Sequence, residues 1–177
     1  PENKLTPDHV CPDCGRPLQR VSEDAYFFKM SKYADRWMKY IEEHLYILSG
    51  FYGLLKPLDA ITPYRLEMQT KCPFSLYDYW KDDLAKQIDE PVLNLASEEY
   101  AKIIRKYKPL VDVRFIEENG KEKGVYAKMA RGAMVRYLAE NKIEDIKDIT
   151  SFNELDYVFD ASQSTENLYI FKKKLSS

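Results

Sequence analysis

The sequence predicts an α/β domain, a mixed sheet covered by helices, preceded by a small knuckle-plus-helix extension. Three observations carry this. From residue 45 to residue 172 short apolar runs of strand type alternate with stretches of helical period. One Asn-Gly turn among them signals an antiparallel pair, and strands interleaved with helices otherwise favour parallel crossovers, so the sheet is mixed. The opening segment, from Pro1 to Arg20, differs in being rich in proline, charge and turn formers.

The elements follow in order. Cys-Pro-Asp-Cys-Gly-Arg-Pro, from Cys11 to Pro17, reads as a compact knuckle. Phe27, Met30, Tyr33, Trp37, Tyr40 and Ile41 recur at steps of three or four, which predicts a helix reaching His44 with one apolar face. The run from Leu45 to Leu55, punctuated by Gly50 and Gly53, reads as strand, tight turn and short helix, and Pro57 and Pro63 mark a loop after it. Residues 91–95 form a buried strand; Ser97, Glu98 and Glu99 open a helix over 98–107, a serine capping free amides and acids favouring the positive helix end. Residues 111–116 and 124–126 are expected to pair across Glu118-Asn-Gly-Lys. An amphipathic helix over 127–140, a short helix over 143–149 and strands at 157–159 and 168–171 complete the pattern.

A chain of 177 residues with 45% hydrophobic and 14% aromatic residues can bury one sizeable core, which excludes disordered and collagen-like classes. The formal charge of -2 gives no global attraction to nucleic acid or anionic membrane. It hides a gradient, because Lys102 to Arg136 carries ten cations against four acids, whereas residues 137–160 carry seven acids against two lysines. Three cysteines make no disulfide framework, and the absence of a secretory leader or an apolar span places the chain in the cytoplasm, away from membranes. Starting at Pro1, it reads as cut or processed.

Cys11 and Cys14 have the spacing of two thiolates on one zinc ion, which is half of a tetrahedral site; Cys72, His9 and His44 are the other soft ligands. No residue has the neighbours of a hydrolase triad, so no catalytic residue is assigned and enzymatic activity is not expected. Asp59, Tyr64, Arg65, Glu67 and Asn94 read either as a proton-transfer constellation or as an ion pair fixing a loop. Tyr77, Tyr79 and Trp80 read as base-stacking rings or as core.

Two families are resembled in turn. Cys11 to Leu18, followed by Glu-Asp-Ala-Tyr-Phe-Phe-Lys-Met-Ser-Lys-Tyr from Glu23, resembles the zinc-knuckle region of methionyl-tRNA synthetase. That resemblance implies a synthetase fragment, with tRNA as partner and zinc at an incomplete site, as the alternative reading. Both ATP-binding signatures are absent, and Lys29-Met-Ser-Lys-Tyr has Tyr33 where the family's catalytic signature has serine, so aminoacylation is not carried over.

From residue 41 the chain resembles the bacterial YaaA peroxide-stress proteins. The motifs are Leu48-Ser-Gly-Phe-Tyr-Gly-Leu-Leu-Lys-Pro-Leu-Asp, Pro63-Tyr-Arg-Leu-Glu-Met, Leu76-Tyr-Asp-Tyr-Trp-Lys, Asn94-Leu-Ala-Ser-Glu-Glu-Tyr and Ala127-Lys-Met-Ala-Arg-Gly-Ala-Met. The resemblance implies a mixed α/β fold, double-stranded DNA binding through a basic cleft with a helix-hairpin-helix element, and protection against hydrogen peroxide with lowered free iron. The family's N-terminal portion, with its opening strand and Ser-Pro-Ala-Lys motif, has no counterpart here, which implies an incomplete sheet. The expected domains are residues 1–40 and 41–177, a fused or truncated chain whose families change over within Tyr40-Ile-Glu-Glu-His.

On this resemblance the cations expected to line the DNA cleft are Lys56, Arg65, Lys128, Arg131 and Arg136. Lys128 and Arg131, three apart, share a helix face, with Arg136 on an adjacent one, and arginine offers phosphate a bidentate fork. Gly132 reads as a close approach by another backbone, a phosphate or a packed helix.

Overall fold

A computed structural model describes residues 34–89 and 91–174. The chain divides at Arg36 and Trp37, and the second unit carries both sheets and the helices that cover them. In order the elements are α1 (Ala34–His44), β1 (Ile47–Ser49), β2 (Gly53–Leu55), α2 (Leu76–Trp80), β3 (Leu93–Asn94), α3 (Glu98–Arg105), β4 (Val111–Ile116), α4 (Gly124–Asn141), β5 (Tyr157–Phe159) and β6 (Leu168–Lys173). Short 3-10 turns occupy Ala85–Gln87, Ile146–Ser151 and Glu154–Asp156. The knuckle and the first turns of the expected opening helix lie outside the described residues.

The predicted mixed sheet is present: four strands in the order β3-β4-β6-β5, parallel across the first three and antiparallel at β5–β6. Val113 pairs with Tyr169 and Phe115 with Phe171, so one face presents an aromatic row to α4. That helix answers with Ala127, Ala130 and Met134, all buried; the two small residues let its backbone come close to the sheet. Between them Phe115, Phe152, Phe171 and Tyr157 pack ring against ring at centroid separations of 5.3 to 5.9 Å. Arg105 on α3 reaches Asp112, whose side chain leaves β4 opposite to Val113 and Phe115, so α3 covers the other face. A second core of Met68, Leu76, Leu84, Ile103, Ile104 and Leu110 lies with it.

Three elements differ from expectation. Leu54 and Leu55 form strand β2 rather than a short helix, because Gly53, at φ +76°, turns the chain back against β1. Residues 124–126 open α4 instead of pairing with β4, whose two edges are already taken by β3 and β6. The Asn-Gly segment still turns the chain: Glu117 donates its N–H to Lys121 O and Gly120 donates to Glu117 O. Ser97 stands at the start of α3, yet its hydroxyl makes no cap; its carbonyl receives the Tyr100 and Ala101 amides.

Gly53 is a sensitive position. A Cβ there would sit 2.7 Å from Leu84 Cδ2 and 2.9 Å from the Trp80 ring, at a φ that an L side chain resists. Gly53→Ala is expected to cost about 2 kcal/mol, a loss of roughly 4–8 °C in thermal midpoint. An unchanged melting curve would contradict this packing.

Candidate nucleic-acid interface

Many of the described cations fall into two chemical settings, besides lysine–carboxylate pairs such as Lys86 with Asp82 at 2.9 Å and Lys39 with Glu43 at 3.8 Å. Carboxylates take the arginines: Arg105 with Asp112 at 2.7 Å and Glu98 at 3.0 Å, Arg114 with Glu122 at 4.0 Å, Arg131 with Glu122, and Arg136 with Glu154. Tyrosine rings take lysines instead. The ammonium of Lys56 lies 3.7 Å from the Tyr46 centroid, Lys102 5.2 Å from Tyr77, Lys106 5.2 Å from Tyr107, and Lys123 4.6 Å from Tyr126. Lys173 covers the same Tyr126 ring at 4.4 Å while standing 3.8 Å from Glu117. A carboxylate cancels the charge it pairs with; a ring orients the ammonium and leaves it a full positive charge.

This divides the five cations expected from sequence. Arg131 and Arg136 are engaged by Glu122 and Glu154 and tie α4 to neighbouring segments. Lys56 is half-buried, over Tyr46 and donating to Glu43 O. Lys128, on α4, and Arg65, in the extended segment after β2, are exposed and make no ion pair among the described residues. No described contact joins Lys56 or Arg65 to the three cations of α4. Among the described residues a groove of about 630 Å³ is walled largely by aliphatic side chains, and of the five cations Arg131 lines it.

Sequence reasoning passed over Lys121 and Lys123, which it placed in a hairpin. In the fold both precede α4, Lys123 being the residue just before the helix, and Lys128 follows five residues beyond it. The first helical amides are open there, Ala127 N–H being the one that bonds back to Lys123 O. Three exposed lysines thus stand around the positive end of an 18-residue helix. The signal that could have found them is the alternation Lys-Glu-Lys after Asn-Gly, with a tyrosine three residues beyond.

The expected polar constellation does not assemble. Asn94 donates to Asp112 at 2.8 Å, Tyr64 shares a hydrogen bond with Ser49, and Asp59 accepts the Lys56 backbone N–H at 2.7 Å. Asn94, Asp112, Arg105 and Glu98 instead form one network binding β3, β4 and α3. Burial alone would raise the Asp112 carboxyl, but the hydrogen bonds from Arg105 and Asn94 outweigh it and hold it below the ordinary 3.8. The Asp112 carboxylate, and after it Glu98, push the Arg105 guanidinium up. A depressed carboxylate adds stability above its unfolded pKa and loses it as pH falls through the folded one. Asp112→Asn should therefore cost about 1–2 kcal/mol at neutral pH, with the gap to the parent closing below about pH 4. Denaturant melts at pH 7 and pH 3 check this; equal gaps at both would refute it.

Trp80 proves to be structural, donating its indole N–H to Gly50 O at 3.1 Å, while Tyr79 and Phe74 are exposed. Cys11, Cys14 and His9 lie outside the described residues. Cys72 is half-buried, and His44 is occupied by Tyr40 O at 2.7 Å and Glu144 at 3.2 Å. Among the described residues no His, Cys, Asp and Glu gather as a metal-binding group, and no helix is long and apolar enough to cross a membrane.

Comparison with known proteins places the chain in a family. The family model described as peroxide stress protein YaaA matches residues 27–163, beginning inside the segment whose motifs resemble the synthetase. A UPF0246 protein of Agathobacter rectalis is 45% identical over 160 residues, covering 82% of this chain and 64% of the relative. Another from Desulfitobacterium hafniense is 44% identical, covering 81% and 63%. A third, from Lachnoclostridium phytofermentans, is 49% identical over 150 residues, covering 77% and 59%. The chain thus spans less than two thirds of the length of these relatives. With a family match over most of its length and identities of 44% to 49% to these relatives, it belongs to the YaaA peroxide-stress family.

Proposed function

We propose that this chain carries a double-stranded-DNA-binding surface of a peroxide-stress response, and that binding shields the duplex from iron-driven damage. The observation that supports it is that Lys121, Lys123 and Lys128 stand exposed around the start of α4 with no carboxylate partner among the described residues, while Arg131 and Arg136 are neutralised by Glu122 and Glu154. Duplex DNA is recognised first through its phosphates, and un-neutralised lysine ammoniums at a helix N-terminus are suited to them. Lys121, Lys123 and Lys128 form the main contact; Arg65 and Lys56 extend it from the loop after β2, and Arg131 and Arg136 hold the helix in place.

Fluorescence anisotropy of a labelled duplex across a salt series tests the binding. Affinity is expected to fall steeply as salt rises; absence of salt-dependent binding sinks the proposal. Nicking of a supercoiled plasmid by ferrous iron and hydrogen peroxide, with and without the protein, tests the shielding. It should slow in proportion to occupancy and not when the protein is held off the DNA by salt.

The second reading, a methionyl-tRNA synthetase fragment, rests on the resemblance of Cys11 to Leu18 and Glu23 to Tyr33. One zinc per chain together with tRNA binding would favour it, and a chain with neither excludes it.

A further inference from the structure

A hollow of about 520 Å³ lies between α2 and α3. Tyr77 lines it from α2, Lys102 from α3, and Lys106 and Tyr107 from the end of that helix. Each lysine is drawn to a ring, Lys102 at 5.2 Å from the Tyr77 centroid and Lys106 at 5.2 Å from that of Tyr107. Four residues apart, the two lysines share a helix face, where like charges repel. Neither meets a carboxylate among the described residues, since Asp112 and Glu98 are taken by Arg105, and Asp78 is the one acid in the lining. An anion set between the two ammoniums relieves their repulsion.

The rings around the hollow say what kind of anion. Phe74 and Tyr79 adjoin Ser75 and Asp78 of its lining in sequence. Both are exposed, with ring centroids 5.8 Å apart, and Tyr107 is exposed as well. None of the three belongs to either apolar core, so packing does not employ them. Tyr77 is fixed in place, its hydroxyl donating to Glu99 O at 2.8 Å. Open rings beside un-neutralised ammoniums suit a ligand in which planar bases alternate with phosphates. In a duplex each base has its faces covered by stacked neighbours, so rings take up bases that are unpaired.

From these observations we infer that the hollow between α2 and α3 is a binding site for single-stranded DNA, distinct from the lysines at the start of α4. Lys102 and Lys106 hold its phosphates, and Tyr107, Phe74 and Tyr79 stack on its bases. That the strand is unpaired follows from the rings; that it is DNA rests on the function proposed above.

The test titrates a labelled oligothymidylate of about 12 nucleotides, and separately a labelled duplex, against the full chain. The expected result is saturable binding of the single strand. Tyr107→Leu, and Phe74→Ala with Tyr79→Ala, should each weaken it about fivefold or more, the worth of one stacked base, while Tyr107→Phe keeps the ring and the affinity. Lys102→Gln with Lys106→Gln should remove roughly 1.4 from the slope of log affinity against log salt. All four variants should keep the parent's circular dichroism and its duplex affinity. No binding of the strand, or binding untouched by the ring variants, overturns the inference. So does equal loss from Tyr107→Phe and Tyr107→Leu, or loss of strand binding from alanine at Lys121, Lys123 and Lys128 alone, which would put the strand on the duplex surface. Duplex binding absent with strand binding present would sink the duplex proposal and uphold this site.

Discussion

Alanine at Lys121, Lys123 and Lys128 together is expected to lower duplex affinity on the order of 10²-fold at about 0.1 M salt. The mechanism fixes more than the size of the loss. Each phosphate contact releases condensed counterions and contributes about 0.9 to the slope of log affinity against log salt, so the triple variant should lose roughly 2.7 of that slope. The three lysines are exposed, and none pairs with a carboxylate among the described residues, so stability should change by no more than about 0.5 kcal/mol. Arg131→Ala and Arg136→Ala should behave oppositely. Their guanidiniums are held by Glu122 and Glu154, so their loss should lower the melting point and leave the salt slope nearly intact. A triple variant with an unchanged slope would remove this surface from DNA binding.

Phe115→Ala carries the largest expected effect on stability. The ring is fully buried at the centre of the sheet, with Phe152, Tyr157 and Phe171 at centroid distances of 5.9, 5.3 and 5.5 Å. Removing it deletes a large apolar volume and three aromatic pairs at once, and β4, flanked by β3 and β6, has little freedom to close the space. The expected cost is about 3–5 kcal/mol, or roughly 6–20 °C in thermal midpoint. Phe115→Leu keeps most of the volume and should recover more than half. Equal losses for Ala and Leu would show that packing volume is not what the ring supplies.

Much of this architecture was legible in local pattern. Val111 to Ile116 reads as a strand and forms one, because Val111, Val113 and Phe115 alternate with Asp112 and Arg114 and β-branched and aromatic residues suit a pleated surface. The closing strands, the strand after Pro91 and the helix opened by Glu98 and Glu99 emerged where expected. The collinear family motifs also pointed to the family that the comparisons show. Where local pattern misled, a neighbour distant in sequence decided. Asn-Gly announces a reversal and does make one, but a hairpin also needs a vacant strand edge, and β6, from the far end of the chain, occupies it.

The site divides along the same line. Residue type and spacing identified Lys128, Arg131 and Arg136 as cations of one helix, since spacing along a helix is a local property. Which of them keeps its charge for a ligand depends on Glu122, reaching back from the preceding turn, and on Glu154, arriving from beyond the helix's far end. Lys121 and Lys123 became visible only when residues 124–126 proved to be helix rather than strand. Taken alone, the amino-acid sequence determined the α/β class, most of the elements and the family, because short-range periodicity and motif order encode them. Tertiary structure alone decided which of the described cations are neutralised by carboxylates and that the edges of β4 are taken by β3 and β6. Both depend on charges and backbone groups brought together from remote parts of the chain, and no local pattern records those meetings.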